Sequence, residues 1–334
     1  MQLIFLYSSL AGVEPTPEPA PGDSLTVPRE VGVPVIAADC GGTNLAVARL
    51  ERASAEVEPT VIPTPGRTAD IPGAIVELAL ALGDSDAVGV SIAGLVTDGT
   101  LVWMPHRDGG VDLAGPLADV LRAPVTVEND ANCAALAEAT AGAGRGHRMV
   151  LMITVGTGIG GGLVIDGRIE RGRGFLGEIG HTSLDRNGPL CSCGKHGCWE
   201  AFASGSALDR AAAALVRTDS AGGVARQAGG GEPSGPHLVV AALAGDPAAR
   251  QAFDEIAMHF GRGLANMVAV FDPDVIVVGG GVGSIGEPFL RPARIEMAAT
   301  VAGAEHRRPT PVVSAALGPW AGLAGAALLA GAPV

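Results

Sequence analysis

The sequence predicts an α/β protein built from two similar lobes. In both halves of the chain, short apolar runs typical of buried strands alternate with longer alanine-rich stretches typical of helices. Three of the apolar runs end in glycine-rich turns. The chain has 334 residues, which is enough for two domains of ordinary size, each with its own core.

Composition narrows the possible partners. The net charge of −13 at pH 7 argues against nucleic acid, whose binding requires a basic face, but not against a nucleotide held by backbone amides. No apolar run approaches the roughly 20 residues that a membrane-spanning helix needs, so no membrane contact is expected. The first residues lack the positive charge and apolar length of a secretion signal, and we therefore expect a cytoplasmic protein.

The first half of the chain begins with a segment that shows no periodicity. Residues 13–32 are rich in proline and acidic residues, and residues 1–32 are expected to form a disordered tail. A first strand and then a polar, proline-containing patch follow. The predicted strands of this half lie at 33–39, 87–94 and 123–130, and the predicted helices at 71–83 and 131–144.

The second half repeats the alternation of strands and helices. Residues 148–170 predict two strands joined through a glycine turn. A cysteine cluster and a helix near 204–217 come next. Residues 218–236 are rich in glycine and serine and are expected to be a loop that is not ordered throughout. A long helix at 247–271, a strand with the third glycine turn, and a final helix near 320–331 complete the chain.

The three glycine turns favour a nucleotide. They lie at 39–44, 155–162 and 279–283. Consecutive glycines let backbone N–H groups converge on a phosphate without obstruction by a Cβ atom. A Walker A loop requires a glycine followed by Lys-Ser or Lys-Thr, and the chain has none. A dinucleotide fingerprint leads into a helix, whereas the second turn leads into a predicted strand. For any single turn, a tight strand connection remains the alternative.

An acidic turn joins a predicted strand to a predicted helix. Glu128, Asn129 and Asp130 occupy this turn. Asn and Asp are favoured helix N-caps, which is one interpretation. The other is a carboxylate at the carboxyl end of a strand, the usual active-site edge of an α/β sheet, where it can accept a proton from a substrate hydroxyl.

Three of the five cysteines fall within eight residues, and their spacing favours a metal. Cys191 and Cys193 are too close for an easy mutual disulfide, and the chain has no Cys-x-x-Cys redox pair. With Cys198 and His181 they make a complete tetrahedral zinc set that leaves no position for water, so the site would be structural. Free thiols are the alternative. Glu178 and Glu200, which flank the cluster, are either a solvated rim or ligands of a polyol.

These motifs together resemble the ROK family of sugar kinases and sugar-responsive repressors. The residues that carry the resemblance are DCGGTN, VENDANCAALAE, VGTGIGGG, GEIGHTSL, CSCGKHGCWEAFASG and VIVVGGGV, over about residues 33–330. The cysteine motif is most similar to ATP-dependent glucokinases of the actinobacterial type. The family implies an actin-like, ribonuclease-H-like ATPase fold with the active site in the cleft between its lobes. The small lobe would comprise 33–129 and about 318–334, and the large lobe 130–317, with a zinc-binding loop at 178–200.

The resemblance implies a role for each motif. Asp130 would be the base acting on the sugar 6-hydroxyl. Residues implied at the sugar are Gly94, Asn129, Glu178, His181 and Glu200. Residues implied at ATP and Mg²⁺ are Asp39, Gly41, Gly42, Thr43, Asn44, Gly156, Thr157, Gly158, Gly280 and Gly281. The implied structural Zn²⁺ ligands are His181, Cys191, Cys193 and Cys198.

The expected function is ATP-dependent phosphorylation of a hexose, with glucose first. Other candidates are N-acetylmannosamine, N-acetylglucosamine, fructose and allose. Two departures from the family bear on the sugar, because Ala93-Gly94 replaces a Pro-Gly and His106 stands where Asn is usual. A DNA-binding regulator is disfavoured, since residues 1–32 show neither helical periodicity nor a basic face. A homodimer or homotetramer is expected.

Overall fold

The computed structural model describes residues 34–50, 58–104, 107 and 109–331. The predicted tail at 1–32 and the substitution at His106 lie outside this part of the chain. The strands are β1 Val35–Cys40, β2 Asn44–Leu50, β3 Thr60–Pro63, β4 Ala87–Ile92, β5 Leu95–Thr97, β6 Thr100–Trp103, β7 Val111–Asp112, β8 Val125–Asn129, β9 Met149–Val155, β10 Ile159–Ile165, β11 Arg168–Glu170, β12 Val275–Gly279 and β13 Val312–Ser314.

The α-helices of the described residues alternate with these strands along the chain. They are α1 Ile71–Leu82, α2 Ala114–Leu121, α3 Asp130–Ala141, α4 Trp199–Ala203, α5 Gly205–Thr218, α6 Gly223–Ala228, α7 Gly235–Leu243, α8 Pro247–Phe271, α9 Gly280–Gly283, α10 Glu287–Thr300 and α11 Ala321–Gly331. Among the described residues, none of these helices combines the length and the apolarity needed to cross a membrane.

Two five-stranded sheets share one strand order. The first runs β3-β2-β1-β4-β8 and the second β11-β10-β9-β12-β13. In each sheet the three strands that come first in the chain lie in reverse chain order, and the next two strands follow beside the first of them. In the first sheet β1, β4 and β8 are parallel, and β2 is antiparallel to β1. This repeated order is that of an actin-like ATPase and confirms the predicted fold class. A third sheet has the order β5-β6-β7.

Strand β4 is apolar on both faces because helices cover both: α11 lies against one face, and α1 and α2 pack on the other. Every residue of β4 is buried. A Cβ atom on Gly89 of β4 would lie 1.9 Å from the carbonyl oxygen of Ala326, so only glycine allows this helix to approach so closely. Parallel strands covered by helices on both faces have continuous apolar sequences of this kind.

The chain divides into two compact units. One consists of Ile153–Gly161 and Glu178–Gly318, and the other of residues 34–152, Gly162–Gly177 and the described residues from Pro319 onward. The second unit extends past the lobe boundary expected at 129/130, because α3 packs against α11. A Cβ atom on Gly325 would lie 1.9 Å from the carbonyl oxygen of Cys133, so these two helices are in very close contact.

Most predicted elements are confirmed, and two predictions were wrong. The patch after the first strand contains β2, whose residues from Leu45 to Leu50 pair with all of β1 and are mostly buried. The loop predicted at 218–236 contains α6. Asp246 organises this helix, because its carboxylate accepts a hydrogen bond from the Gly223 amide at 2.9 Å and lies 3.8 Å from Arg226.

Candidate functional site

The parallel strands of the first sheet bring the acidic candidates to one edge. Cys40, Ile92 and Asn129 are aligned across β1, β4 and β8, and all three strands point the same way. Asp39 and Asp130 therefore lie at the same carboxyl-terminal edge of the sheet. This is the edge at which α/β proteins bind their ligands.

Asn129 caps α3 and orients Asp130. Its side-chain oxygen accepts hydrogen bonds from the amides of Ala131 at 2.9 Å and Asn132 at 3.1 Å. Its amide group donates to the Gly94 carbonyl at 2.9 Å and to Asp130 Oδ1 at 3.1 Å. The capping interpretation and the active-site interpretation of this turn are thus compatible, because the cap residue holds the carboxylate beside it.

Asp39 is a carboxyl group that resists ionisation. Burial raises its pKa from 3.8 to about 7; the hydrogen bond from Ser91 Oγ, at 2.6 Å, opposes this rise, and the neighbouring Asp130 adds to it. A Cβ atom on Gly322 of α11 would lie 2.8 Å from both carboxylate oxygens, so the helix backbone closes this side of the group. A carboxylate so enclosed is suited to a cation.

The turn after β1 is held by its carbonyl groups. Thr64 Oγ1 donates to the Gly41 carbonyl at 2.8 Å, and the Thr64 amide donates to the Thr43 carbonyl at 2.8 Å. Arg107 Nη2 donates to the Gly42 carbonyl at 2.9 Å. A Cβ atom on Gly42 would meet no atom within 4 Å, so there is open space beside the turn. Asn44 is the first residue of β2.

Near Asp130, Glu128 forms an ion pair that sequence analysis missed, between a buried carboxylate and a half-exposed arginine. Glu128 is only 6% exposed and accepts hydrogen bonds from the Asn129 amide and from Asn132 Nδ2. Its other oxygen lies 2.5 Å from Arg171 Nε. The pair neutralises a buried charge next to the candidate base and ties the segment after β11 to the acidic turn.

The turn between β9 and β10 belongs to the other compact unit. The Gly156 and Thr157 carbonyls accept hydrogen bonds from the Gly205 amide at 2.7 Å and from Ser206 Oγ at 2.8 Å. A Cβ atom on Gly156 would meet nothing within 4 Å. Gly280, at the start of α9, has a φ of +81°, and its Cβ would lie 2.6 Å from the Val155 carbonyl, so the second and third glycine turns are neighbours. Gly281 follows it with open space around its Cβ position.

The cysteine cluster has the dimensions of a zinc site. The ligand atoms of His181, Cys191, Cys193 and Cys198 all lie within 4.8 Å of one another. Two of the separations, Cys193 Sγ to Cys198 Sγ and Cys191 Sγ to His181 Nδ1, are 3.6 Å. Tetrahedral Zn–S and Zn–N bonds give ligand separations of about 3.5–3.8 Å. Burial and the two neighbouring sulfurs raise the pKa of Cys198 to about 12, a cost that a shared cation reverses.

His181 presents its second ring nitrogen to a carboxylate. Nε2 lies 3.6 Å from Glu178 Oε2, whereas Nδ1 faces the sulfur cluster. Burial raises the pKa of Glu178, with His181 opposing the rise and Glu200 adding to it. The carboxylate beside a metal-ligating histidine is an arrangement that orients the ring.

Comparison with known proteins places this geometry in a family. The model of the ROK family matches residues 35–332. The chain belongs to the ROK family. The glucokinase of Streptomyces coelicolor is 38% identical over 312 residues, which cover 89% of this chain and 98% of that protein. The ROK family glucokinase of Streptomyces griseus, solved with glucose and AMPPNP, is 38% identical, with a TM-score of 0.79 over 89% of this chain and 99% of that one. The N-acetylmannosamine kinase of Salmonella arizonae is 36% identical over 270 residues, which cover 78% of this chain and 86% of that protein.

The candidate site residues from the sequence are divided between the two compact units. The unit of residues 34–152 holds the first glycine turn, Gly94, Asn129 and Asp130, and the other unit holds the second and third turns, Glu178, Glu200 and the cysteine cluster. Sequence analysis missed Ser91, Arg107 and Arg171. Ser91 could have been noticed in the sequence, because it is the only hydroxyl-bearing residue of β4, whose other residues are apolar.

Proposed function

We propose that this chain transfers the γ-phosphoryl group of ATP to the 6-hydroxyl of glucose. The enzyme class, an ATP-dependent sugar kinase, rests on the family and on glucokinase relatives that match it over most of their length. The identity of the sugar and the roles of individual residues are the proposal.

The observation that carries the proposal is the placement of Asp130. Its carboxylate lies at the N-terminus of α3, is hydrogen-bonded by Asn129, and shares the sheet edge with Asp39. The positive end of a helix favours the ionised form of a carboxyl group, as a base requires. As the sugar oxygen attacks the γ-phosphorus and ADP leaves, Asp130 accepts the hydroxyl proton.

The phosphates would be held mainly by the backbone. Gly42 and Gly156 have open space at their Cβ positions. The Gly41 and Gly156 amides already donate within their own turns, to the carbonyls of Asn44 and Gly158, so the phosphates would be met by the other N–H groups of these turns. Mg²⁺ would supply charge neutralisation between the phosphates, and Asp39 is the carboxylate that would meet it. Ionisation of Asp39 near neutral pH is then favoured by the bound cation.

The sugar would be held by the carboxylates around the zinc cluster and by Asn129. All four hydrogen-bonding positions of the Asn129 side chain are engaged with the protein, so its contact with a sugar would replace one of these bonds. Zinc would be structural, because its four protein ligands fill a tetrahedron. Glucose is favoured over other sugars by the glucokinase relatives, and N-acetylmannosamine is the second candidate because of the Salmonella relative.

A coupled ADP-release assay over a panel of hexoses and N-acetylhexosamines tests the proposal. We expect the highest kcat/KM for glucose. A higher value for N-acetylmannosamine would reassign the substrate, and sugar binding without turnover across the panel would favour a sugar sensor. The homodimer or homotetramer remains a prediction, which light scattering checks.

A further inference from the structure

Glu200 joins the cysteine cluster to the glycine turn between β9 and β10. Its Oε2 accepts a hydrogen bond from the Ile159 amide at 3.0 Å, at the end of this turn. Its Oε1 accepts a hydrogen bond from Ser192 Oγ at 2.9 Å and lies 3.5 Å from Cys191 Sγ, within the cluster. One carboxylate therefore connects segments 41 residues apart in the chain.

The turn is shaped to receive this carboxylate. A Cβ atom on Gly158 would lie 2.2 Å from Glu200 Oε2, so a glycine at this position leaves the space that the carboxylate occupies. On the other side of the turn, the Gly205 amide donates to the Gly156 carbonyl at 2.7 Å, and Ser206 Oγ donates to the Thr157 carbonyl at 2.8 Å. Both groups that hold the turn, Glu200 and the start of α5, come within eight residues after the ligand Cys198.

The segment between the cluster and the turn is tightly packed. The Trp199 amide donates to the Thr182 carbonyl at 2.8 Å, and its indole is fully buried. The indole stacks on Phe260 with a centroid separation of 5.3 Å, and a Cβ atom on Gly263 would overlap it. Displacement of the cluster would therefore move Glu200 and the start of α5 together.

We propose that Glu200 is a positioning residue for the nucleotide and that, through it, the cysteine cluster organises the phosphate-binding turn as well as the sugar site. The inference rests on the proposed function, because it takes the turn at 156–158 to bind the phosphates. It adds a consequence: a sugar hydroxyl that binds Glu200 engages the same carboxylate that holds the turn. Sugar and nucleotide affinities are then linked, and the linkage is reciprocal.

Calorimetric titration of the zinc-loaded protein with MgADP, in the absence of sugar, tests the inference. Glu200→Ala removes a charged acceptor from the Ile159 amide, and we expect about tenfold weaker MgADP binding or worse. Glu200→Gln keeps an acceptor oxygen and should recover part of the affinity. Glu232→Gln is the control, because this exposed carboxylate has no described contact with the turn or with the cysteine cluster; its MgADP affinity should equal that of the wild type.

Ser192→Ala keeps the proposal falsifiable if Glu200→Ala does not fold. It removes the hydrogen bond that holds Oε1 but neither a metal ligand nor a sugar contact, and we expect severalfold weaker MgADP binding with stoichiometric zinc retained. Unchanged MgADP affinity in a folded Glu200→Ala protein, or in Ser192→Ala where the former does not fold, overturns the inference. Wild-type protein that binds no MgADP and releases no ADP with any sugar overturns the proposed function itself.

Discussion

Asp39→Asn should make the protein more stable while it removes activity. In the absence of ligand, the wild-type carboxyl group is enclosed by α11 and faces Asp130, and its pKa is about 7 instead of 3.8. Between these two values the folded protein binds a proton that the unfolded chain has released. The free energy of unfolding therefore falls as pH rises from about 4 to about 7, and the loss is complete above the folded pKa.

The magnitude follows from the size of the shift. About three pKa units at 1.36 kcal/mol each correspond to about 4 kcal/mol at pH 7.5. Roughly 1.6 kcal/mol of this is already lost at pH 5, because that pH is about 1.2 units above the ordinary pKa. Asparagine carries no charge and keeps an oxygen that can accept the Ser91 hydroxyl. The gain in stability of Asp39→Asn should therefore grow by about 2.5 kcal/mol between pH 5 and pH 7.5.

Urea unfolding of both proteins at pH 5 and pH 7.5, without Mg²⁺ or nucleotide, measures this difference. Glu77→Gln, an exposed carboxylate on α1, is the control and should change stability by less than about 0.5 kcal/mol at either pH. An Asp39→Asn protein that is no more stable than the wild type at pH 7.5, or whose advantage does not grow with pH, refutes the reasoning. A stabilised but inactive variant fits a residue kept for cation binding at a cost in stability.

Three further predictions concern the packing around the site. Cys193→Ser should release zinc and weaken sugar binding; atomic emission of the purified wild type must show one zinc per chain, and the variant less. Gly280→Ala places a Cβ atom 2.6 Å from the Val155 carbonyl at a φ of +81° and should cost at least about 1–3 kcal/mol in urea unfolding, so an unchanged midpoint would contradict the tight turn. Arg171→Gln leaves the buried Glu128 carboxylate without its half-exposed partner and should cost about 1–3 kcal/mol. Arg148→Gln, which breaks a fully exposed pair at 3.8 Å, should cost less than about 0.5 kcal/mol, and equal losses would argue against a stabilising role for the Glu128 pair.

Local patterns in the sequence were sufficient for most elements. Helix α8 is predicted with both of its ends, because Asp246 and Pro247 mark its start and a strongly apolar strand follows it. The proposed zinc ligands are also recognisable, since three of the four lie within eight residues. Strand β2 was missed although the sequence carries a signal for it. A Gly-Gly turn joins two apolar runs there, which is the pattern of a hairpin.

Contacts between distant segments could not be predicted in this way. The Ser91–Asp39 hydrogen bond spans 52 residues, and the Arg171–Glu128 pair spans 43. Neither has a local signature, because strand order and helix packing bring these residues together. The same is true of Glu200, whose nearest neighbours in sequence indicate the metal cluster and give no sign of the turn at Gly158. Sequence motifs therefore identified candidate residues but not the contacts that position them.

Replacement of Asp130 by asparagine tests the central claim most directly. The variant keeps the shape of the side chain and an oxygen that can accept hydrogen bonds, but it removes the base. We expect glucose and MgATP to bind within a few-fold of the wild type by calorimetry, while the rate of ADP release falls at least about 10²-fold. Turnover at the wild-type rate would contradict the assignment of Asp130 as the base for phosphoryl transfer.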